Sequence, residues 1–162
     1  MCPDAVISSP LGRLGIRCQD DALSSLTYLS HTEPLRAPTG LAAEVADQLD
    51  QYFSNPDFRF QLPLKLEGTV FQERVWSALA EIPRGELRSY GELARELQSG
   101  PRAVGGACAR NPVIIVVPCH RVVPVTGGLG GYGGSARGAG VNIKAWLVRH
   151  ECARLYGRSV IP

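Results

Sequence analysis

SYGELARELQSGPRAVGGACARNP, residues 89–112, decides how the second half of this chain folds. Ser89 stands three residues before Glu92, the spacing at which a serine hydroxyl and a glutamate close a capping box around a helix start. Leu93, Ala94 and Leu97 then fall on one helical face, and Ser99-Gly100-Pro101 makes a tight turn. Pro101 suits the first position of a following helix, where its missing N–H is not needed, and Asn111-Pro112 closes that helix. Two short helices across a glycine-containing turn predict a helix-turn-helix. Working upstream, Thr69 and Gln72 form a second capping box, and Phe71, Val75 and Leu79 stripe a helix that stops near Ile82-Pro83-Arg84-Gly85. Before Gly68 the pattern changes. SPLGRLGIRC and LSSLTYLS read as short strands with turn residues at Pro10, Gly12 and Asp20-Asp21, and Leu41, Val45, Leu49 and Tyr52 predict a helix from about Thr39 to Phe53. SNPDFRFQLPLKLEG is expected to be an extended connector. The predicted fold is therefore a small α/β N-terminal domain of sheet plus helix, residues 1–67, followed by a mostly α-helical domain with the helix-turn-helix, residues 68–162.

A chain of 162 residues buries a sizeable core without a disulfide or metal staple. Hydrophobic residues make up 44% of it, yet no apolar run approaches the ~20 residues that span a bilayer, and the start MCPDAVISSP lacks a charged and apolar leader. A soluble cytoplasmic protein is expected. The five cysteines (Cys2, Cys18, Cys108, Cys119, Cys152) are odd in number and widely scattered, as reduced thiols are. Net charge is +2, but residues 1–67 carry five Lys/Arg against nine Asp/Glu, whereas residues 68–162 carry twelve against six. After Leu97 the only acid is Glu151, facing eight bases of which seven are arginine. Such a one-sided field fits a solvated basic surface or a polyanionic partner, and charge alone does not choose between them.

The predicted helix RAVGGACAR is poor in helix formers, each glycine costing about 1 kcal/mol. Small residues there serve either close packing against another helix or close approach to a DNA strand, with Arg102 projecting from the first turn. Arg102 and Arg110 are too few long donors for a major-groove reader, which favours docking in the minor groove. The next segment, Val113-Ile114-Ile115-Val116-Val117-Pro118-Cys119-His120-Arg121-Val122, predicts a buried β-strand ended by Pro118. A cysteine so placed is most often a small core hydrophobe. The adjoining His120 and Arg121 shift the balance, because a purely structural strip gains nothing from two polar groups, whereas a thiol needs cationic or proton-accepting neighbours to react. Adjacent residues rarely face each other, so His120 would act through a water or a bent backbone.

Pro-Cys-His-Arg-Val at residues 118–122 resembles the signature of the O6-alkylguanine-DNA alkyltransferases. The resemblance extends through SPLGRL near the start, Gly68-Thr69, Phe71-Gln72, Val75-Trp76, Ile82-Pro83, Gly85, Ser89-Tyr90, Leu93-Ala94, Arg102-Ala103-Val104-Gly105, Asn111-Pro112, Gly131-Tyr132 and Lys144 to Glu151. That covers roughly residues 6–151 in order. It implies direct reversal of DNA damage, in which the alkyl group of O6-alkylguanine, and of O4-alkylthymine, moves once and irreversibly to Cys119 after the base is flipped from the minor-groove side.

By position, the resemblance makes His120 the base that draws the thiol proton through a water, and Glu151 the carboxylate that completes the relay. Glu151 also reads as a plain helix-surface acid. Asn111 would brace the turn between recognition helix and active site. Tyr90 would help rotate the nucleotide and protonate the leaving purine, and Arg102 would fill the space left by the base. Ala103, Gly105 and Arg110 would join Arg102 and Tyr90 against DNA, while Val122, Tyr132 and Gly133 would line the substrate pocket. The chain is about two residues shorter than the family pattern before Arg102, and SARGAG is inserted after Tyr132, where Arg137 offers an added DNA contact. No metal or other cofactor is expected; Cys2, Cys18 and His31 lack the close pair of a zinc site. Cys108 and Cys152 read as packing residues, and His150 as a surface or helix-end residue. The expected partner is double-stranded DNA carrying alkylated guanine, bound near the nucleoid by a monomer, with cooperative assembly left open and no membrane involved. A sensor that binds alkylguanine without repairing it and a cysteine hydrolase using Cys119 and His120 are the rival readings.

Overall fold

The computed structural model describes residues 2–132 and 139–151, together with the backbone of 154–155 and 158–159. The chain divides into two compact units, one of Met1–Glu67 with Pro112–Ile114 and one of Gly68–Asn111 with Ile115–Pro162.

In the first unit, β1 (Ala5–Ser9), β2 (Gly12–Gln19) and β3 (Ala22–Leu29) form an antiparallel sheet in the order β1-β2-β3. Asp20 and Asp21 between β2 and β3 both hold positive φ, 51° and 57°, the conformation a two-residue hairpin turn demands and aspartate tolerates. Val6, Leu14, Ile16, Leu23 and Leu26 are buried from the sheet. Helix α1 (Gly40–Ser54) answers with Ala42, Val45, Leu49 and Tyr52 on one face. Two segments distant in sequence add single bridges to β3, Leu64 beside Leu23 and Val113 beside Leu26.

The second unit opens with α2 (Val70–Ala80), capped by Thr69 and Gln72 in the expected reciprocal box. Its buried Trp76 donates its indole N–H to the Ala107 carbonyl at 2.9 Å, tying α2 to a later helix. A two-residue strand, β4 (Arg88–Ser89), leads directly into α3 (Tyr90–Glu96), whose start carries the Ser89 and Glu92 box. Leu97 to Gly100 turn the chain into α4 (Pro101–Ala109), with Pro101 in the first turn. Leu93, Ala94, Val104 and Ala107 pack inward from this helix pair. Strand β5 (Val122–Val123) pairs in parallel with β4, and α5 (Ala139–His150) buries Lys144, Leu147 and Val148. The last strands, β6 (Arg154–Leu155) and β7 (Arg158–Ser159), form a separate antiparallel pair.

One expectation fails. Residues 113–117 are not a strand: Val113 makes a single bridge, and Ile114 to Val116 form a turn with Ile115 at φ 71°. A β-branched residue in the left-handed region costs on the order of 1–3 kcal/mol, which the surroundings must hold in place. The burial expected of the apolar run is present, with Ile115 and Val117 in the core. Buried apolar runs carry no periodicity that separates a strand from a buried turn.

Candidate active site

The turn ends in a sharp reversal at Pro118, whose φ of −83° and ψ of 65° make an inverse γ-turn in which the Cys119 N–H donates to the Val117 carbonyl at 2.9 Å. Proline suits this position, since its ring sets φ and no N–H is wanted. The Asn111 side-chain amide donates to the same carbonyl at 2.7 Å, bracing the turn from the end of α4. Cys119, His120 and Arg121 then form one 3-10 turn rather than a continuation of a strand. Bending the backbone here separates the two neighbours: Cys119 reaches a cavity, and His120 turns into the protein interior.

The cavity, of about 430 Å³, is lined by Tyr90, Pro101, Arg102, Gly105, Cys108, Ala109, Cys119, Pro124, Gly130, Gly131 and Tyr132. Five of the residues singled out from the sequence (Tyr90, Arg102, Gly105, Cys119, Tyr132) thus meet on one wall system. Gly130 sits at φ 73° with the space for a Cβ already taken by Pro124 at 2.9 Å, so a side chain there would push into the wall. Ala103 and Arg110 are exposed on and just after α4, away from the cavity lining. Gly133 lies outside the described residues, as do Arg137, Cys152 and most of the SARGAG insertion. His150 ends α5 with its ring stacked on Trp146 at 4.8 Å. Cys108 is buried as expected of a packing residue, and it also faces the cavity.

Behind Cys119 lies an ion cluster in which His120, Glu151 and Lys144 are wholly buried and Arg121 nearly so. His120 Nε2 is 3.0 Å from Glu151 Oε2, and His120 Nδ1 has no protein partner among the described residues. Glu151 is wholly buried, which removes the reading of a helix-surface acid. Arg121 grips both its oxygens, Nε to Oε1 and Nη2 to Oε2, each at 2.9 Å. Lys144, also wholly buried, donates to the Val122 carbonyl at 2.7 Å and to Gly131 at 3.1 Å, and its ammonium lies 5.7 Å from the centre of the Tyr90 ring.

These surroundings decide the resting charges. Burial pushes the Cys119 thiol up, against the lowering pull of Asn111, the Lys144 charge and a backbone N–H. Burial pushes Cys108 to about 12 and raises Tyr90 as well. Lys144 falls to about 8 because burial disfavours its charge. Burial alone would raise Glu151, but the His120 and Arg121 contacts overcome it and hold the carboxyl well below the usual range. His120 is lowered, burial outweighing the attraction of Glu151. At neutral pH the cluster therefore holds a neutral thiol, a neutral imidazole, an ionised Glu151 and two cations.

Lys144 and the clamp by Arg121 were not singled out from the sequence. A signal for the first exists: Lys144, Leu147, Val148 and Glu151 recur at positions i, i+3, i+4 and i+7, which puts two charges on one buried stripe along α5 and just past its end. Among the described residues no group of three or more His, Cys, Asp or Glu side chains is placed to hold a metal ion, and no helix is long and apolar enough to cross a membrane.

Residues 70–153 match the family model described as 6-O-methylguanine DNA methyltransferase, DNA binding domain. The methylated-DNA–protein-cysteine methyltransferase of Mycobacterium bovis is 43% identical over 155 residues, covering 91% of each chain. The chain belongs to the methylated-DNA–protein-cysteine methyltransferase family. The family's activity, transfer of a methyl group from DNA to a protein cysteine, is accordingly the activity of this chain. The crystal structure of Mycobacterium tuberculosis O6-methylguanine methyltransferase superposes with a TM-score of 0.79 at 39% identity, covering 97% of this chain and 96% of that one. Mycobacterium tuberculosis OGT in complex with DNA gives 0.77 at 42% identity, covering 91% of each. As in these methyltransferases, a small antiparallel sheet is combined with helices.

Proposed function

We propose that the protein repairs duplex DNA by moving the alkyl group of O6-alkylguanine, and of O4-alkylthymine, onto Cys119 Sγ, once per chain. The observation that carries this reading is the placement of Cys119: on the wall of a base-sized cavity with Tyr90 and Arg102, and backed by the buried His120 and Glu151 pair.

In this reading α3 and α4 are the helix-turn-helix, and the exposed face of α4 with Ala103, Gly105 and Arg110 meets the minor groove. The lesion base rotates out of the stack into the cavity, at a cost of a few kcal/mol that is smallest where damage has weakened pairing. Arg102, at the cavity edge, fills the gap in the duplex, and Tyr90 steers the nucleotide. Tyr132 flanks the O6 end of the base, and the Val122 backbone receives the guanine amino group. His120 then takes the thiol proton through a water, and Glu151 stabilises the imidazolium so formed. The sulfur attacks the alkyl carbon in line, the carbon–oxygen bond breaks, and the electron pair left on the purine is met by a proton from the Tyr90 hydroxyl. Burial disfavours the Tyr90 anion, so the hydroxyl is protonated at neutral pH with its hydrogen available to the purine, while the same shift makes it a weaker acid. The product thioether has no good leaving group, so the protein is consumed.

Incubation with duplex DNA carrying labelled O6-methylguanine tests the reading. One label per chain is expected on the wild type and none on Cys119→Ser. Product release over many cycles would identify a hydrolase instead, and binding without labelling a sensor. Arg102→Ala should slow repair of duplex lesions far more than reaction with free O6-benzylguanine, which needs no displaced base.

A further inference from the structure

We infer that Arg121 is a positioning residue for alkyl transfer, holding Glu151 and neutralising it so that His120 stays free to accept the thiol proton. The inference rests on the alkyl-transfer reading above and extends it to a residue outside the Cys119, His120 and Glu151 relay. In a half-chain rich in arginine, the ready assumption is a contact to a phosphate. The geometry says otherwise. All three guanidinium nitrogens are committed inward: Nε and Nη2 to the two oxygens of Glu151, and Nη1 to the Ile82 carbonyl just past the end of α2, at 2.5 Å. The side chain is 14% exposed. A planar fork matched to a carboxylate is the most specific ion pair that proteins build, and at a buried site a lysine cannot reproduce it.

The clamp has a directional consequence. Arg121 binds Glu151 Oε1 through Nε and Oε2 through Nη2, and His120 shares Oε2. The carboxylate therefore meets the imidazole from one fixed direction, which fixes the ring as well. Three charges bear on the ring: Glu151, in contact at 3.0 Å, and the positive charges of Arg121 and Lys144. A bare carboxylate against a buried imidazole would draw a proton onto it before any substrate arrives. Burial disfavours the imidazolium first, and a permanent guanidinium on that carboxylate offsets the pull further, so the resting imidazole is neutral and the proton it takes is the one released by Cys119. Arg84 also touches Glu151, donating to its backbone carbonyl at 3.1 Å at the helix end.

Single-turnover alkylation by free O6-benzylguanine, followed against pH, tests this without involving DNA. The rate constant reports the chemistry of folded protein, while the labelled amplitude reports how much is folded, so partial unfolding of a variant does not obscure the result. In the wild type the rate constant should fall on the acid side as His120 gains its proton. In Arg121→Met that acid limb should move up by on the order of one pH unit, because the offsetting positive charge is gone. In Arg121→Lys it should stay near the wild-type position, the charge being kept, with a lower plateau because the two-point grip is lost. Arg84→Met should leave the limb where it is. An unmoved limb in Arg121→Met, or a wild-type rate constant at every pH in Arg121→Lys, overturns the inference. Should Arg121→Met give no folded protein, the lysine variant decides alone. Failure of the wild type to become labelled at all would instead strike the alkyl-transfer reading.

Discussion

At the scale of single residues, the site stores its reactivity rather than displaying it. Cys119 is buried and neutral at rest, which protects its sulfur from adventitious oxidation. Charge is held one step back, in Glu151, Arg121 and Lys144. That arrangement makes acid stability a direct report on Glu151. Its pKa is lowered in the folded state, so its stabilisation is fully present above the unfolded value of about 4.5 and is lost as pH falls from there towards the folded value. Glu151→Gln should therefore lower the melting temperature at neutral pH, by the equivalent of about 3 kcal/mol, since Arg121 loses its buried counter-charge. It should also flatten the dependence of melting temperature on pH between about 6 and 3. Thermal unfolding across that range measures both, and parallel curves for the two proteins would remove Glu151 from the acid-sensitive set.

At the scale of elements, α4 explains why its sequence tolerates poor helix formers. Gly106 is exposed, with nothing within 4 Å of where a Cβ would stand, so packing against another helix does not account for it. Gly106→Ala should raise helix stability by about 0.5–1 kcal/mol, seen as a higher melting temperature. If the exposed face of α4 comes close to a DNA strand, the same methyl should weaken duplex binding in a titration. Stabilisation with unchanged affinity would remove Gly106 from the interface. The helices were legible in the sequence because caps are local chemistry: the Thr69 and Gln72 box and the Ser89 and Glu92 box each read from four residues and each formed. Residues 113–117 were not legible in the same way. Their apolar run announces burial, but the turn at Ile115 is imposed by what precedes and follows it: Asn111 fastening Val117, and Val113 bridging to Leu26. The site divides along the same line. Cys119 and His120 stand out as polar chemistry in an apolar strip, and Glu151 emerged only through family resemblance. The Arg121 grip on Glu151 spans thirty residues of chain, a distance at which spacing says nothing.

At the scale of the whole molecule, the +2 net charge conceals two opposed units. Pro112–Ile114 carries no charge, so the first unit keeps the imbalance of five bases to nine acids and the second that of twelve to six. Only part of the second unit's charge is available to a phosphate backbone. Arg88 is held by Glu92 and Glu96, Arg121 by Glu151, and Lys144 is buried. Among the exposed arginines, Arg95, Arg102 and Arg110 stand on α3, on α4 and at its end. If these three meet two or three phosphates, the logarithm of duplex affinity should fall against the logarithm of salt concentration with a slope of about −2 to −3. Raising salt from about 50 to 200 mM would then weaken binding by roughly tenfold to fiftyfold. The rate of reaction with free O6-benzylguanine should hardly change over the same range, because that substrate is uncharged and the ion cluster around Glu151 is shielded from solvent. The contrast separates an effect on docking from an effect on chemistry. A flat salt response for the duplex would mean that the exposed arginines do not face DNA, and a steep one for the free base would mean that the buried cluster is open to the solvent ions.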